Sequence, residues 1–342
     1  MAAKRIEYID KLKGITMILV ILGHVAFPQN FRILIYAFHM PLFFFLSGIT
    51  LNTEIEFKIF LKKRVKGLLI PLISFSVFQI VVCEWLYGCV IAKNQSVAFV
   101  KDRIIGILVQ GDGENIAYAS ELWFLSCLFI AEILYYFIHR LLMAWRVIII
   151  LLGAVGSVIW NATLQNTFPL IWFLNVVFIV MVFIFLGELY RKYISGWKNI
   201  TSLRMSGIYF GLMVITALLN AYKCNDINTV NLLLGVLGNP LLYFMSAFLG
   251  ILFMVAVFKN INKKMKLLQY IGRNSLIYYG THMVAKIIPD YIAYHMLGNW
   301  QENQIAIFFV GLFYLALMLP IIYGFSEFIN KKIPFVLGKV KL

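Results

Sequence analysis

The sequence predicts an all-α integral membrane protein of about ten transmembrane helices, and three observations carry that prediction. Of 342 residues, 62% are hydrophobic and 13% are charged, about half the roughly 25% charged share of soluble globular chains. Apolar runs of about 20 residues, enough to cross a bilayer core, recur along the whole length. Basic residues collect in alternate connections between those runs, which is the pattern of membrane topology.

Segmentation places spans near 13–29, 31–51, 67–91, 121–139, 146–164, 168–189, 203–222, 230–257, 270–296 and 304–329. None alternates like a strand, and helices satisfy their own backbone in lipid. The first span follows Lys4 and Arg5, as a secretory signal would, but it contains His24 and ends in AFPQN without a small-x-small cleavage pattern. It reads as a retained helix. The longest connection, about 92–120, contains QGDGEN; this lacks the spaced carboxylates of a calcium loop and reads as a turn. No connection is long enough to bury a soluble core, so residues 1–342 form a single polytopic domain.

Orientation follows from the basic residues. Lys4, Arg5, Lys11 and Lys13 share a side with Lys58, Lys62, Lys63, Arg64 and Lys66. Arg191, Lys192, Lys259, Lys263, Lys264, Arg273, Lys331 and Lys332 fall there too, whereas the opposite side has few. Both termini are therefore expected in the cytoplasm. The net charge of +15 is spread over helix ends rather than a groove, which excludes a nucleic-acid partner. Cys83, Cys89, Cys127 and Cys224 show no metal or disulfide spacing and read as small hydrophobes. No metal site is expected.

Ionisable residues inside spans are costly and mark candidate sites. Lys13 and His24 lie eleven residues apart, so they share a helix face about 16 Å apart along the axis. A cation at one end thus stands below an imidazole able to take a proton from a hydroxyl. The alternative is a histidine that bonds a neighbouring helix. His39 sits beside Pro41, which removes a backbone donor and frees a carbonyl; a packing histidine at a kink reads equally well. Ser47 and Gly48 read as small residues for close helix approach.

KKRVKGLLIP (62–71) packs four cations before the third span, as a seat for phosphates or as a topology signal. Arg273 could join it. Glu84 lies at the depth of His24 and would fix its tautomer if the two touch. Glu132 is mid-span with no evident partner, and His282 is a further buried candidate. Lys286 and Asp290 are i,i+4 and would neutralise each other. Trp123 reads as part of an interfacial aromatic belt. No GxxxxGK[ST], HExxH, GxSxG or GxGxxG occurs.

Five stretches, IDKLKGITMILVILGH (9–24), FHMPLFFFLSG (38–48), KKRVKGLLIP (62–71), ELWFL (121–125) and IGRNSLIYYGTH (271–282), occur in an order that resembles the membrane acyltransferase-3 family, in particular its fucose-4-O-acetylase-like branch. The resemblance implies an enzyme of the bacterial cytoplasmic membrane. It would move an acyl group, usually acetyl, from cytoplasmic acyl-coenzyme A to a hydroxyl of a cell-surface glycan or lipid-linked sugar. Acetyl-CoA would be a co-substrate, with no metal. The family's essential first-helix histidine falls on His24 and its basic residue, typically arginine, on Lys13. Its basic cluster falls on Lys63, Arg64 and Lys66. On this expectation His24 is the base, supported by Glu84. Coenzyme A rests on Lys13, Lys63, Arg64, Lys66 and Arg273, and His39 and His282 bind the acceptor or the oxyanion. A transporter or flippase for a lipid-linked saccharide is the competing class, and a non-catalytic partner in glycan assembly a third.

Overall fold

A computed structural model describes residues 6–91, 97–109, 121–165, 170–197, 199–224, 229–298 and 300–339. Every named element among these residues is helical. In chain order they are α1 (Glu7–His24), α2 (Gln29–Thr50), α3 (Phe57–Arg64), α4 (Ile70–Gln79), α5 (Val97–Val109), α6 (Trp123–Ile138) and α7 (Met143–Thr163). They continue with α8 (Leu174–Leu189), α9 (Leu203–Ala221), α10 (Pro240–Asn260), α11 (Lys266–Arg273), α12 (Ser275–Met296) and α13 (Gln304–Lys332).

Each of the ten apolar segments falls on a helix, and seven helices are long and apolar enough to cross a membrane. The other three segments fail for identifiable reasons. Helix α1 carries Asp10, Lys11 and Lys13, α6 has only 16 residues, and α12 carries Lys286 and Asp290. The protein is an integral membrane protein. The apolar run from residue 230 begins as a turn with an Asn231–Val236 bridge. Its helix waits for Pro240, where the Asn239 side chain accepts from the Leu242 N–H and caps it. Part of the 92–120 connection is helix α5, and QGDGEN (110–115) lies outside the described residues.

Helices α3 and α4 form one continuous rod through a wider π turn at Val65–Leu69, where Ile70 N–H bonds the Val65 carbonyl. Pro71 explains the change. Without an N–H it cannot serve the carbonyl one α-turn back, so the preceding turn relaxes to longer-range bonding.

Two helix crossings bring backbone against backbone. A Cβ on Gly14 would lie 2.1 Å from the Leu268 carbonyl oxygen, and one on Gly272 1.9 Å from that of Asp10. Helices α1 and α11 therefore touch through glycines on both sides. Gly48 and Gly187 do the same for α2 and α8, at 2.0 Å from Ile184 O and 2.1 Å from Phe45 O. Small residues permit such approach where lipid offers helices no hydrophobic drive to associate.

At the end of the bundle carrying the basic residues, Arg191 Nη1 donates to the Ile49 and Leu51 carbonyls at 3.2 and 2.8 Å, closing the end of α2. Glu188 is buried nearby. It accepts from Tyr135 Oη and pairs with Lys192 at 2.6 Å, His139 at 3.1 Å and Arg146 at 3.5 Å. Trp123 is 7% exposed, packed against Phe44 and Phe173 rather than in an interfacial belt. The aromatic residues around it make the start of α6 part of the core.

Candidate active site

Helices α1, α2, α6 and α12, the end of α3 and the π turn line a cavity of about 230 Å³. Its polar wall is Lys13, Ser47, Thr50, Arg64, Glu132 and Ser275, and its apolar wall includes Met40, Phe43, Leu68, Phe124, Leu125 and Leu128. Tyr279 lines it as well. Each polar group arrives by a local rule. Lys13 is on the second turn of α1, and Ser47 on the last of α2. Arg64 is the final residue before the π turn, with its guanidinium over the Phe60 ring at 5.3 Å.

The carboxylate of Glu132 organises this wall. Its side chain is 1% exposed and pairs with Arg64 at 2.9 Å while accepting from Ser47 Oγ at 2.5 Å. A buried carboxylate is tolerated only when paired and hydrogen-bonded, and both conditions are met. Lys13 and Arg64 stand with Glu132 in one polar stretch of wall beside the apolar residues. The cavity therefore offers hydrogen-bonding groups to one part of a ligand and apolar contact to the rest.

Beyond Tyr279 lie two histidines. The Tyr279 and His282 rings stack at 5.8 Å with planes 23° apart, and the His282 and His24 ring centres are 5.0 Å apart. His282 is fully buried, and its Nδ1 donates to the Tyr279 carbonyl at 2.6 Å. A carbonyl only accepts, so Nδ1 holds the proton and Nε2 a lone pair. That Nε2 is buried without a hydrogen-bond partner, a costly state unless something else uses it. His24 is partly exposed, whereas the Lys286 and Arg32 charges lie within electrostatic reach of it.

The remaining candidates are more dispersed. His39 is buried, donates from Nδ1 to the Ile35 carbonyl at 2.7 Å, and packs edge-on against Tyr36 at 5.1 Å. The Tyr36 hydroxyl donates to the Gly23 carbonyl at 3.0 Å, which ties this group to the turn before His24. Glu84 pairs with Arg103 of α5 at 3.3 Å rather than with His24. Arg273 pairs with the buried Asp10 at 3.0 Å. Lys63 is exposed and Lys66 half-buried, and neither lines the cavity. Lys286 holds Asp290 at 2.6 Å, as their spacing anticipates, and Tyr314 Oη donates to the same carboxylate at 2.7 Å.

Residues 6–327 match the family model described as an acyltransferase domain, acyltransferase-3 type. The chain belongs to the acyltransferase-3 family. No curated protein and no solved structure matches it. The cavity thus has Lys13 and Arg64 in its wall, and the His24–His282 pair lies beyond Tyr279. Sequence reasoning did not place three residues in the site. Ser47 read as a packing residue, Glu132 had no visible partner, and Tyr279 was hidden in a Tyr-Tyr pair. Among the described residues no cluster of histidine, cysteine or carboxylate side chains could hold a metal ion.

Proposed function

We propose that this acyltransferase takes an acyl group, acetyl by resemblance, from acyl-coenzyme A on the cytoplasmic side. It passes the group to a hydroxyl of a glycan or lipid-linked sugar on the other side. The observation that carries this reading is the cavity with Lys13 and Arg64 in its wall, which ends on the ring stacked against the His282–His24 pair. Lys13 and Arg64 offer charge-assisted bonds to phosphate oxygens, helped by Lys63 and Lys66 at the rim. The apolar wall accommodates the pantetheine arm, which is long, narrow and uncharged.

His24 acts as general base. It takes the acceptor hydroxyl proton as the oxygen attacks the thioester carbonyl, and a tetrahedral oxyanion forms. Collapse breaks the carbon–sulfur bond, and the leaving thiolate receives the proton from His24. His282, with a lone pair at Nε2, stands where it can accept a hydrogen bond from His24 and hold its tautomer. His39 keeps Tyr36 and the end of α1 in place for the acceptor. Glu84 is engaged by Arg103 and Arg273 by Asp10, so both are left out of the chemistry.

Purified protein in vesicles, given acetyl-CoA with a labelled acetyl group and host glycolipid extract, tests the reading. Label is expected on the acceptor with wild type and not with a folded His24→Ala protein. Movement of a lipid-linked sugar across the vesicle without label transfer would establish a transporter instead.

A further inference from the structure

The cavity and the histidine pair do not share a lining: neither His24 nor His282 borders the cavity, whereas Tyr279 does. Tyr279 touches both. One side of the Tyr279 side chain borders the cavity; its ring also stacks on His282 and meets Phe124 edge-on at 5.9 Å. Its hydroxyl donates to the Glu121 carbonyl at the start of α6, which holds the ring across the gap. Behind it, a Cβ on Gly280 would fall 2.2 Å from the Phe75 ring. The backbone of α12 thus lies directly against the Phe75 ring of α4. From the cavity side, His282, whose Nε2 is buried and unpartnered, lies behind the Tyr279 ring.

We propose that the Tyr279 ring is a movable partition between the donor cavity and the histidine pair, and that it sets how long an acyl group the donor can carry. This rests on the acyl-CoA reading given above. With the hydroxyl on the Glu121 carbonyl the partition is closed, and a thioester in the cavity is screened from water on the far side. When the ring swings out, the acyl end enters the space beside His282 and His24. A short acyl group passes a turned ring, and a long one is stopped by it. Tyr279 is a specificity-determining residue and takes no part in proton transfer.

The test uses full-length protein in vesicles and a CoA thioester of a short diazirine-bearing fatty acid, with photolabelled peptides mapped. In wild type the label is expected on the cavity wall, at Phe43 and Leu128. In Tyr279→Ala it moves to the α1 peptide containing His24, and octanoyl-CoA competes with the probe better than it does in wild type. Tyr279→Phe keeps the ring but loses one hydrogen bond, so α1 labelling rises about fivefold; this conservative variant serves if the alanine protein does not fold. Equal α1 labelling in all three proteins, with the cavity labelled, overturns the partition and leaves the donor reading standing. Labelling that acetyl-CoA displaces from none of them overturns both.

Discussion

Arg64 and Glu132 meet at 2.9 Å across the wall of the cavity, one from the end of α3 and the other from the middle of α6. Removing one partner of a buried pair leaves the other charge uncompensated, at a cost of about 3 kcal/mol. Arg64→Ala should therefore lower thermal stability and abolish donor binding together. The double replacement Arg64→Leu with Glu132→Leu separates the two effects. It is expected to restore most of the stability, measured by thermal unfolding in detergent, without restoring acetyl-CoA binding. Recovery of binding in that protein would remove Arg64 from the donor site.

Lys13 lines the same cavity from α1. Lys13→Met is expected to raise the KM for acetyl-CoA about tenfold, one lost charge-assisted bond, with a smaller change in kcat. Lys13→Arg keeps the charge and adds a fork of donors, so its KM should stay at or below the wild-type value. An unchanged KM in the methionine protein contradicts the assignment.

Backbone contact between α2 and α8 makes Gly48 and Gly187 intolerant of any side chain. Gly48→Ala or Gly187→Ala places a carbon about 2 Å from a carbonyl oxygen, and overpacking of this kind costs 1 to 3 kcal/mol, roughly, or more. Gly207→Ala and Gly211→Ala meet nothing within 4 Å and serve as neutral controls. Melting profiles by fluorescence-detected size exclusion should order the four proteins accordingly.

His139 lies just past the end of α6, beside Glu188, Arg146, Lys192 and Glu54. Burial lowers its pKa, Glu188 opposes that, and the Arg146 and Lys192 charges add to the lowering. The folded state therefore favours the neutral ring. Its contribution to stability is present above the unfolded pKa, near 6.5, and declines as pH falls below that value. Wild type should lose more melting temperature between pH 8 and pH 5.5 than His139→Gln does. Identical losses would show that the ring titrates alike folded and unfolded.

The helices were legible because a bilayer imposes a length, and ten apolar runs of that length stand out in the chain. Their neighbours were not. In lipid the outward face of a helix is as apolar as the inward one, so hydropathy does not say which side meets a partner. That is why Ser47 looked like packing, Glu132 looked solitary and Trp123 looked interfacial. Asp10 and Arg273 illustrate the same limit: both charges were visible, but their meeting depends on the α1–α11 crossing. Lys286 and Asp290 were paired correctly because helix geometry alone brings them together. His24 stood out by the cost of an imidazole in an apolar run, whereas its approach to His282 is a matter of tertiary packing.

Because α1 lies against α11 and His24 beside His282, α1 packs early on α2 but waits for helices far along the chain to complete its surroundings. A nascent protein halted before α11 can already be threaded through the bilayer but lacks Ser275, Tyr279 and His282. A stop codon placed just before α11 should therefore yield inserted, inert polypeptide rather than a slower enzyme.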